Sequence, residues 1–321
     1  MFDGKVYRLA GVHSPTVTCP EVSIIVPSWN TRDLLSECLR SIAQTSTDLD
    51  CETLVIDNAS TDGSDTLVRE RFPQVRVIRN VENAGFARAA NRGAAASTGR
   101  YLLLLNSDAW LQPGALRALL TLATEQPRCG IVGAQLRNAD GSFQASHASF
   151  PTLAQEFLML SGLGRALYGP WYPSHGPDAG RARRVDYVGG ACLLARRAAF
   201  DDVGGLDEGF FMYAEEIDLC LRLRQAGWEV WYQPAAQVIH VGHASSRHRR
   251  TEREGDLYRS RVRFFRKHHG PRAARLLAAQ IYAFTAVKRP WHALLYRLSG
   301  GRYGRPVISL RRLVLQMRDE T

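Results

Sequence analysis

Residues 102–108, Leu-Leu-Leu-Leu-Asn-Ser-Asp, indicate most directly how this 321-residue chain folds. The four leucines predict a buried strand, and Asn106 and Asp108 follow at its carboxyl end with one residue between them. Successive side chains on an extended segment alternate between two faces, so these two polar groups can point the same way. Two oxygen ligands at such a strand end suit a divalent cation that also holds a diphosphate. An Asn and an Asp that only turn the chain would give the same pattern.

The segments around this strand alternate between strand and helix patterns. Buried strands are predicted at 22–27, 52–57, 75–78, 101–105 and 130–134, and helices at 34–42, 86–97 and 113–125. This alternation predicts a Rossmann-like α/β fold, in which right-handed βαβ units build a doubly wound, mostly parallel sheet with helices on both faces. Ligands of such sheets bind at the carboxyl ends of the strands, where Asn30, Asp57 and Asp108 fall.

The second half of the chain is predicted to complete this domain and to add a tail. After a less regular stretch around a short helix at 153–163, the patterns predict a strand at 185–194, a helix at 214–226 and strands at 229–232 and 237–240. We therefore predict a domain at 1–244, with a nucleotide-binding half at about 20–135 and an acceptor or catalytic half at about 136–244. A basic, amphipathic helical tail is predicted at 245–321.

The positive charge of the chain lies in this tail. The formal net charge is +10, and residues 245–321 contain 19 lysines and arginines against 5 aspartates and glutamates. Leucines and aromatic residues lie between these bases. This pattern predicts either helices that lie on an anionic membrane surface or amphipathic helices packed on the sheet with a solvated basic face. We do not expect nucleic acid as a partner, because no recognition motif accompanies the charge.

Composition and terminal sequence bear on the compartment. The six cysteines are scattered, without the spacing of a zinc site or a disulfide framework, which favours a reducing compartment. No apolar run approaches the roughly 18 residues of a membrane span, and the first residues lack the pattern of a signal peptide. We therefore expect a cytoplasmic protein that is peripheral at the inner face of the cell membrane.

Two polar segments are candidates for contacts to a nucleotide. The first, Asp57-Asn-Ala-Ser-Thr-Asp-Gly-Ser64, follows a buried strand, and its first carboxylate can accept a hydrogen bond from the imide of uracil or thymine. A well-made helix cap would explain this segment equally well. In the second, at 83–91, Gly85 lets the backbone approach a ligand that Asn83 and Asn91 could hold. A helix start with a tight turn is the alternative.

Titratable side chains later in the chain are candidates for catalysis and metal binding. Glu215, Glu216 and Asp218 crowd the start of a predicted helix, where they are favourable to the helix dipole. Their mutual repulsion also raises the affinity of one of them for a proton, as a general base acting on a hydroxyl group requires. His240 ends a predicted strand, where it is either structural or, beside Asp108 and a diphosphate, part of a cation site.

Taken together, these segments resemble the inverting glycosyltransferases of family 2, which have the GT-A fold. The matching motifs are Val22-Ser-Ile-Ile-Val-Pro-Ser-Trp-Asn30, Asp57-Asn-Ala-Ser-Thr-Asp-Gly-Ser64, Asn83-Ala-Gly-Phe86, Asn106-Ser-Asp108, Val188-Gly-Gly-Ala-Cys-Leu-Leu194, Phe211-Met-Tyr-Ala-Glu-Glu-Ile-Asp-Leu-Cys-Leu-Arg222 and Ile239-His240. Their order and spacing are specific as a set, and the resemblance covers about 22–250. Within the family, the chain looks most like bacterial rhamnosyltransferase-type enzymes of cell-wall and polysaccharide assembly.

The resemblance implies a role for each candidate residue. Asp108 and His240 would bind Mg²⁺ or Mn²⁺, with Asn106 as a weaker ligand in place of the first aspartate of the family's Asp-x-Asp motif. Glu216 would be the catalytic base in place of the family's usual Asp, with Glu215 beside it and Asp218 as a rival. The nucleotide-sugar would contact a larger set, which comprises Pro27, Trp29, Asn30, Asp57, Asn58, Ser60, Asp62, Asn83, Gly85, Phe86, Asn91, Asn106, Ser107, Gly189 and Gly190.

The implied reaction is a single in-line displacement that transfers a sugar with inversion. The favoured donor is dTDP-rhamnose, and the acceptor is a hydroxyl of a glycan or of a polyprenyl-diphosphate-linked saccharide. Two alternatives are a UDP- or GDP-sugar transferase with a soluble acceptor and a non-catalytic nucleotide-sugar-binding protein. A nucleotidyltransferase would be expected to carry a Gly-rich phosphate loop with Lys or Arg near the first strand, and residues 27–30 are not such a loop.

Overall fold

The computed structural model of the chain describes residues 20–177, 180–242, 250–298, 309–317 and 320. The strands are β1 (Val22–Ser28), β2 (Cys51–Asp57), β3 (Arg76–Arg79), β4 (Tyr101–Leu105), β5 (Ala109–Leu111), β6 (Cys129–Arg137), β7 (Phe143–Gln144), β8 (His147–Ala148), β9 (Arg183–Arg184), β10 (Tyr187–Val188), β11 (Cys192–Arg196) and β12 (Glu229–His240). The helices are α1 (Arg32–Thr45), α2 (Ser64–Arg71), α3 (Gly85–Ala95), α4 (Ala115–Glu125), α5 (Leu153–Ser161), α6 (Leu163–Tyr168), α7 (Arg197–Asp202), α8 (Glu215–Gln225), α9 (Arg250–Leu298) and α10 (Leu310–Met317). The predicted domain boundary at 244 and the first 19 residues lie outside the described residues.

One large mixed sheet organises the domain. Its main path runs β3-β2-β1-β4-β11-β6-β12-β5. The first four strands are parallel, and β6 and β12 are parallel to each other. Between these groups, β11 runs antiparallel to both β4 and β6, and β5 is an antiparallel edge strand. The predicted doubly wound, mostly parallel α/β sheet is thereby confirmed, with an antiparallel strand at its centre.

The four leucines that follow Tyr101 show that the sheet separates two apolar clusters, one on each face. All four side chains are fully buried, and they alternate between the faces of the sheet because β4 is extended. Leu103 and Leu105 belong to the cluster that includes apolar residues of α1 and α4. Leu102 and Leu104 belong to the cluster that includes residues of α3, α7 and α8. The predicted helices on both faces are therefore confirmed.

Some elements differ from the predicted ones. The structure adds α2, α7 and β5, and it joins the predicted strands at 229–232 and 237–240 into the single strand β12, with an irregular register between Gln233 and Gln237. The predicted strand at 185–194 is instead divided into β10 and β11 around Gly189 and Gly190. Short or irregular strands of this kind lack the length over which alternation is readable in sequence.

The helical tail is packed against the domain on both sides of a break. Gly270 has non-helical torsion angles and divides α9 into two parts. Phe264 and Phe265 before it and Leu277 and Ile281 after it are buried with Phe210 in a third apolar cluster. These residues correspond to the packed amphipathic helix that the sequence left as one alternative, and the end of the second part is exposed. Among the described helices, none combines the length and apolar composition that crossing a membrane would require.

Candidate active site

A cavity of about 560 Å³ lies at the carboxyl ends of β1 and β4. Both predicted halves of the domain contribute to its wall. The predicted site residues that line it are Pro27, Trp29, Asn58, Asn83, Gly85, Phe86, Asn106, Ser107, Asp108, Gly189, Gly190, Glu215, Glu216 and His240. The remaining predicted residues, Asn30, Asp57, Ser60, Asp62, Asn91 and Asp218, do not line it. Residues separated by more than a hundred positions in sequence therefore meet around one space.

Asp108 and His240 face each other in this cavity. The Nε2 atom of His240 lies 3.4 Å from Oδ1 of Asp108 and 3.4 Å from Nδ2 of Asn106. The ring is held from its other side, where Nδ1 is 2.8 Å from Oε1 of Gln144. The pairing of β12 with β5 places His240 opposite Ala109, directly after Asp108, and this pairing produces the juxtaposition.

The donor set fits a divalent cation held jointly with a ligand. Two donor atoms 3.4 Å apart can both reach an ion at about 2.1 Å, which is the ligand distance of Mg²⁺. Within the described part of the chain, no three His, Cys, Asp or Glu side chains form a metal centre. The remaining positions would therefore fall to phosphate oxygens and water, as is usual for ions that serve phosphate groups.

Glu215 and Glu216 begin α8 and line the same cavity. Burial raises the pKa of Glu216 to about 7. Burial also raises the pKa of Glu215 well above its usual value, and the charge of Glu216 adds to that rise. The Oε2 atom of Glu215 is buried without a hydrogen-bond partner among the described residues. Glu216 therefore exchanges its proton in the neutral range.

A strained turn presents these two carboxylates. Tyr213 and Ala214 have φ angles of 71° and 65°, a conformation that costs a residue other than glycine about 1–3 kcal/mol. Hydrogen bonds on both sides hold the turn, since the carbonyl of Phe211 accepts from the amide of Phe86 and that of Met212 accepts from the hydroxyl of Ser260. The turn therefore joins α3, the start of α8 and the tail helix α9.

Asp218 is turned away from the cavity. Its side chain is fully buried and lies 2.7 Å from each of Arg222, Lys267 and His268. Hydrogen bonds from His268 and Lys267, with the charge of Arg222, outweigh burial and lower the pKa of Asp218 to about 2. A carboxylate so stabilised in its ionised form is a poor proton acceptor. Geometry thus favours Glu216 over Asp218 as the candidate base.

Asn58 and Gly85 form part of the cavity wall. The amide of Asn58 donates to the carbonyl of Gly85 at 3.2 Å and accepts from Asn80 at 2.6 Å. Gly85 has a φ of 83°, and a Cβ built on it would lie 2.4 Å from the carbonyl oxygen of Phe211. Only glycine therefore permits this approach between α3 and the turn before α8.

Several residues that were predicted to contact the nucleotide make hydrogen bonds or ion pairs with neighbouring protein groups. Asp57 is fully buried, accepts from the amide of Ser60 at 3.2 Å and lies 3.5 Å from Arg79. The side-chain oxygen of Asn30 accepts a hydrogen bond from the backbone amide of Thr61. The hydroxyl of Ser60 accepts one from the backbone amide of Asn30. These residues join the loops after β1 and β2 behind the cavity wall.

Asp62 and Asn91 also serve to hold loops. Asp62 accepts from the amides of Arg32 and Ser64, so it connects the starts of α1 and α2. Asn91 both donates to and accepts from the backbone of Leu206. These two hydrogen bonds fix α3 to the segment that leads towards α8, away from the cavity.

The cavity is also lined by residues that the sequence did not single out, among them Asn138, Gln144 and Tyr213. The short hairpin between β6 and β7 brings Asn138 and Gln144 to His240. Asp-Gly at 140–141 is a turn signal that could have predicted this hairpin. No local sequence signal distinguishes Tyr213, because its positive φ depends on contacts from α3 and α9.

Comparison with known proteins assigns the chain to a family. Residues 23–204 match the family described as "Glycosyl transferase family 2", so the chain belongs to that family. This confirms the resemblance drawn from the motifs. It also makes the class of protein a glycosyltransferase, as the strand-end cavity suggested.

Individual relatives add detail. The chain is 36% identical over 206 residues to the N-acetylglucosaminyl-diphospho-decaprenol L-rhamnosyltransferase of Mycobacterium tuberculosis, and the match covers 58% of this chain and 65% of the relative. The chain thus spans less than two thirds of that relative's length. The rhamnosyltransferase-like resemblance is confirmed by this similarity.

Two solved structures share the fold. The mannosyltransferase PcManGT of Pyrobaculum calidifontis, in complex with GDP-Man and Mn²⁺, is 20% identical with a TM-score of 0.51, over 95% of this chain and 86% of that one. GalNAc-T7 with UDP, GalNAc and Mn²⁺ is 14% identical with a TM-score of 0.56, over 78% of this chain and 48% of that one. These similarities confirm the predicted GT-A fold.

Proposed function

We propose that this chain transfers a sugar, with inversion and with the help of a divalent cation, from a nucleotide-sugar to a hydroxyl of a glycan or a polyprenyl-diphosphate-linked acceptor. The observation that carries the proposal is that Asp108, His240 and Glu216 line one cavity. A pair of metal-ligand atoms and a carboxylate of near-neutral pKa are the groups that a displacement at the anomeric carbon requires.

The cavity's charge balance supports the role of a cation. Among the described residues that line it, none is Lys or Arg, although a nucleoside diphosphate carries negative charge that increases as it leaves. An ion bound by Asp108 and His240, either Mg²⁺ or Mn²⁺, would neutralise that charge. Asn106 faces His240 through its amide nitrogen, so it would add a weaker oxygen ligand once its amide group is turned over.

Glu216 supplies the base in this proposal. Its carboxylate accepts the proton of the acceptor hydroxyl while that oxygen attacks the anomeric carbon, and the bond to the diphosphate breaks on the opposite side. One displacement inverts the configuration. Gly190 lies against Glu216, since a Cβ built on Gly190 would be 3.7 Å from that of Glu216. This small residue leaves room for a substrate beside the carboxylate.

The favoured substrates follow from the relatives. The mycobacterial relative is named as a rhamnosyltransferase for a decaprenol-diphosphate-linked saccharide, which supports rhamnose from dTDP-rhamnose and a lipid-linked acceptor. The solved neighbours contain UDP or GDP-Man, so UDP- and GDP-sugars with a soluble acceptor are the second candidate. Asp57 is the residue predicted to contact the nucleobase. It lies behind the cavity wall, so it would influence which nucleobase is bound through the loop that it holds.

We also propose that the second part of α9 contacts an anionic membrane at the cytoplasmic face. Val287, Trp291, Leu294 and Leu298 are spaced to lie on one face of the helix, and each is between 47% and 75% exposed. The stripe begins beside the domain, where Phe284 packs edge-on against Phe157 at 5.4 Å between ring centroids. The basic composition of the tail complements anionic lipid.

Release of nucleoside diphosphate tests the proposed reaction. The full chain would be assayed with UDP-, dTDP- and GDP-sugars, with Mg²⁺, Mn²⁺ or chelator, and with membrane lipid extract as acceptor. We expect metal-dependent turnover of one donor, lost in Asp108→Ala while the melting temperature is retained. Binding of a donor without turnover under every condition would favour the non-catalytic alternative.

Vesicle sedimentation tests the membrane proposal separately. We expect the chain to bind vesicles that contain phosphatidylglycerol and not neutral vesicles, and Trp291→Glu to reduce that binding. Ala286→Glu is the matched control, because Ala286 is exposed on the same helix but lies off the stripe. Equal binding by the two variants would contradict the assignment of the stripe.

A further inference from the structure

The hairpin between β6 and β7 orders the imidazole of His240. Oε1 of Gln144 lies 2.8 Å from Nδ1 of His240. Nε2 of Gln144 donates to Oδ1 of Asn138 at 2.9 Å and to the backbone carbonyl of His240 at 3.2 Å. Because a carbonyl oxygen can only accept, the nitrogen of the Gln144 amide must face it. The oxygen of Gln144 therefore faces the ring and accepts from Nδ1.

Further hydrogen bonds along the hairpin connect Gln144 through Asn138 and Ser142 to the carboxylate of Asp140, and all of them are donated towards that carboxylate. The amide of Asn138 donates to the hydroxyl of Ser142 at 2.9 Å, and that hydroxyl donates to Asp140 at 2.6 Å. An ionised carboxylate only accepts, so the polarity of each bond from Asp140 back to His240 is fixed. The network thus requires a proton on Nδ1 of the imidazole.

We infer that Gln144 is a positioning residue that holds His240 in the tautomer with Nδ1 protonated, so that the lone pair of Nε2 faces Asp108 across the cavity. This inference rests on the proposed function, since it assigns the lone pair to the cation. In that tautomer, Nε2 and Oδ1 of Asp108 are two electron-rich atoms 3.4 Å apart. Their proximity is favourable when a positive ion lies between them.

The orientation of the ring, as well as its tautomer, depends on Gln144. His240 ends β12, and Gly242, which lies against the ring, has no side chain with which to hold it. Gln144 contacts both the ring and the backbone carbonyl of His240. Loss of such a partner behind a metal-binding histidine typically weakens metal affinity about 10- to 100-fold.

The experiment compares metal-free and metal-bound full-length protein. Long-range ¹⁵N–¹H spectra without metal report which ring nitrogen of His240 is protonated, with the signal assigned by its loss in His240→Ala. Mn²⁺ titration then gives the dissociation constant. We expect Nδ1 protonation in the wild type, a mixture of tautomers in Gln144→Leu, and an affinity for Mn²⁺ about 10- to 100-fold weaker in that variant.

Two further variants make the result specific. Gln144→Glu keeps an acceptor for Nδ1 but loses the donation to the carbonyl of His240, so it is expected to retain the tautomer and to bind Mn²⁺ more tightly than Gln144→Leu does. Gln237→Leu is the matched control, because Gln237 lies on the same strand as His240 but contacts Arg137; it should leave both measurements unchanged. Nε2 protonation in the wild type would overturn the inference. An unchanged tautomer in Gln144→Leu, with affinity within about twofold of wild type, would overturn it as well.

Failure of the proposed function gives a different outcome. A wild-type chain that does not bind Mn²⁺ or Mg²⁺ would contradict the proposed cation site itself. The tautomer measurement, made without metal, would still decide whether Gln144 fixes the imidazole.

Discussion

Replacement of Glu216 by Gln tests the proposed base most directly. The amide has nearly the size of the carboxyl group, so the packing against Gly190 and the turn before α8 should be retained. It cannot accept a proton from the acceptor hydroxyl. Loss of a general base typically reduces the rate about 10²- to 10⁴-fold, and we expect kcat of Glu216→Gln to fall within that range.

The structure also predicts how strongly kcat/KM of the wild type depends on pH. Burial raises the pKa of Glu216 to about 7, and the base works only when ionised. The ionised fraction is then about 0.1 at pH 6 and about 0.9 at pH 8, so kcat/KM should rise roughly tenfold between these values. A carboxyl group with an unshifted pKa would be ionised throughout this range and would give a flat profile.

Nucleoside-diphosphate release at fixed metal, followed from about pH 5.5 to about pH 8.5, measures both effects. Glu215→Gln is the matched control. It should keep the rising limb near pH 7, because the largest cause of the shift at Glu216 is burial. A wild-type profile that is flat between pH 6 and 8, or a Glu216→Gln variant with near wild-type kcat, would refute the assignment.

Three further predictions follow from individual contacts. Asp108→Ala and His240→Ala should both weaken Mn²⁺ binding in titrations, and Asp108→Ala more, because it removes the charged ligand. Asp218→Asn should lower the free energy of unfolding in urea by about 2–4 kcal/mol at pH 7, because it removes the buried negative charge that pairs with Arg222 and Lys267. The pKa of Asp218 is lowered from 3.8 to about 2, so its stabilising effect is present at neutral pH and disappears as pH falls through about 2. Gly85→Ala should lower the melting temperature, because its φ is positive and the new Cβ would clash with Phe211.

Sequence reasoning succeeded where a residue's position depends on its own strand. Asp108 follows a run of leucines whose burial and alternation are readable locally, and parallel strand order then places it at the ligand-binding edge. The same reasoning brought Asn58 and Gly85 to the cavity wall. The position of His240 could not be predicted in this way, because it depends on the pairing of its strand with the segment that follows Asp108. Only the family resemblance indicated that His240 lies near Asp108.

Sequence reasoning could not separate residues that line the cavity from residues that hold the segments around it. Asp57 ends β2 and Asn91 lies within α3, near the cavity-lining Asn58 and Asn83 in sequence, yet their side chains contact Ser60, Arg79 and Leu206. Local pattern does not show which way a loop side chain points, because distant contacts decide it. Asp218 is a similar case, since its partners include Lys267 and His268, which follow 49 and 50 positions later in sequence.

The packed residues of α9 and its exposed stripe act on the domain in different ways, and this bears on how the membrane proposal can be tested. The packed residues lie against Phe210 and Ala214, and they supply both the hydrogen bond to Met212 and two of the partners of Asp218. Deleting the tail would therefore disturb the turn that presents Glu216, and lost activity could not be attributed to lost membrane contact. Substitutions confined to the exposed stripe after Gly270 leave those contacts in place. If such a variant loses vesicle binding and turnover of lipid-linked acceptor but still releases nucleoside diphosphate with a soluble acceptor, the membrane contact serves acceptor delivery and not the chemistry.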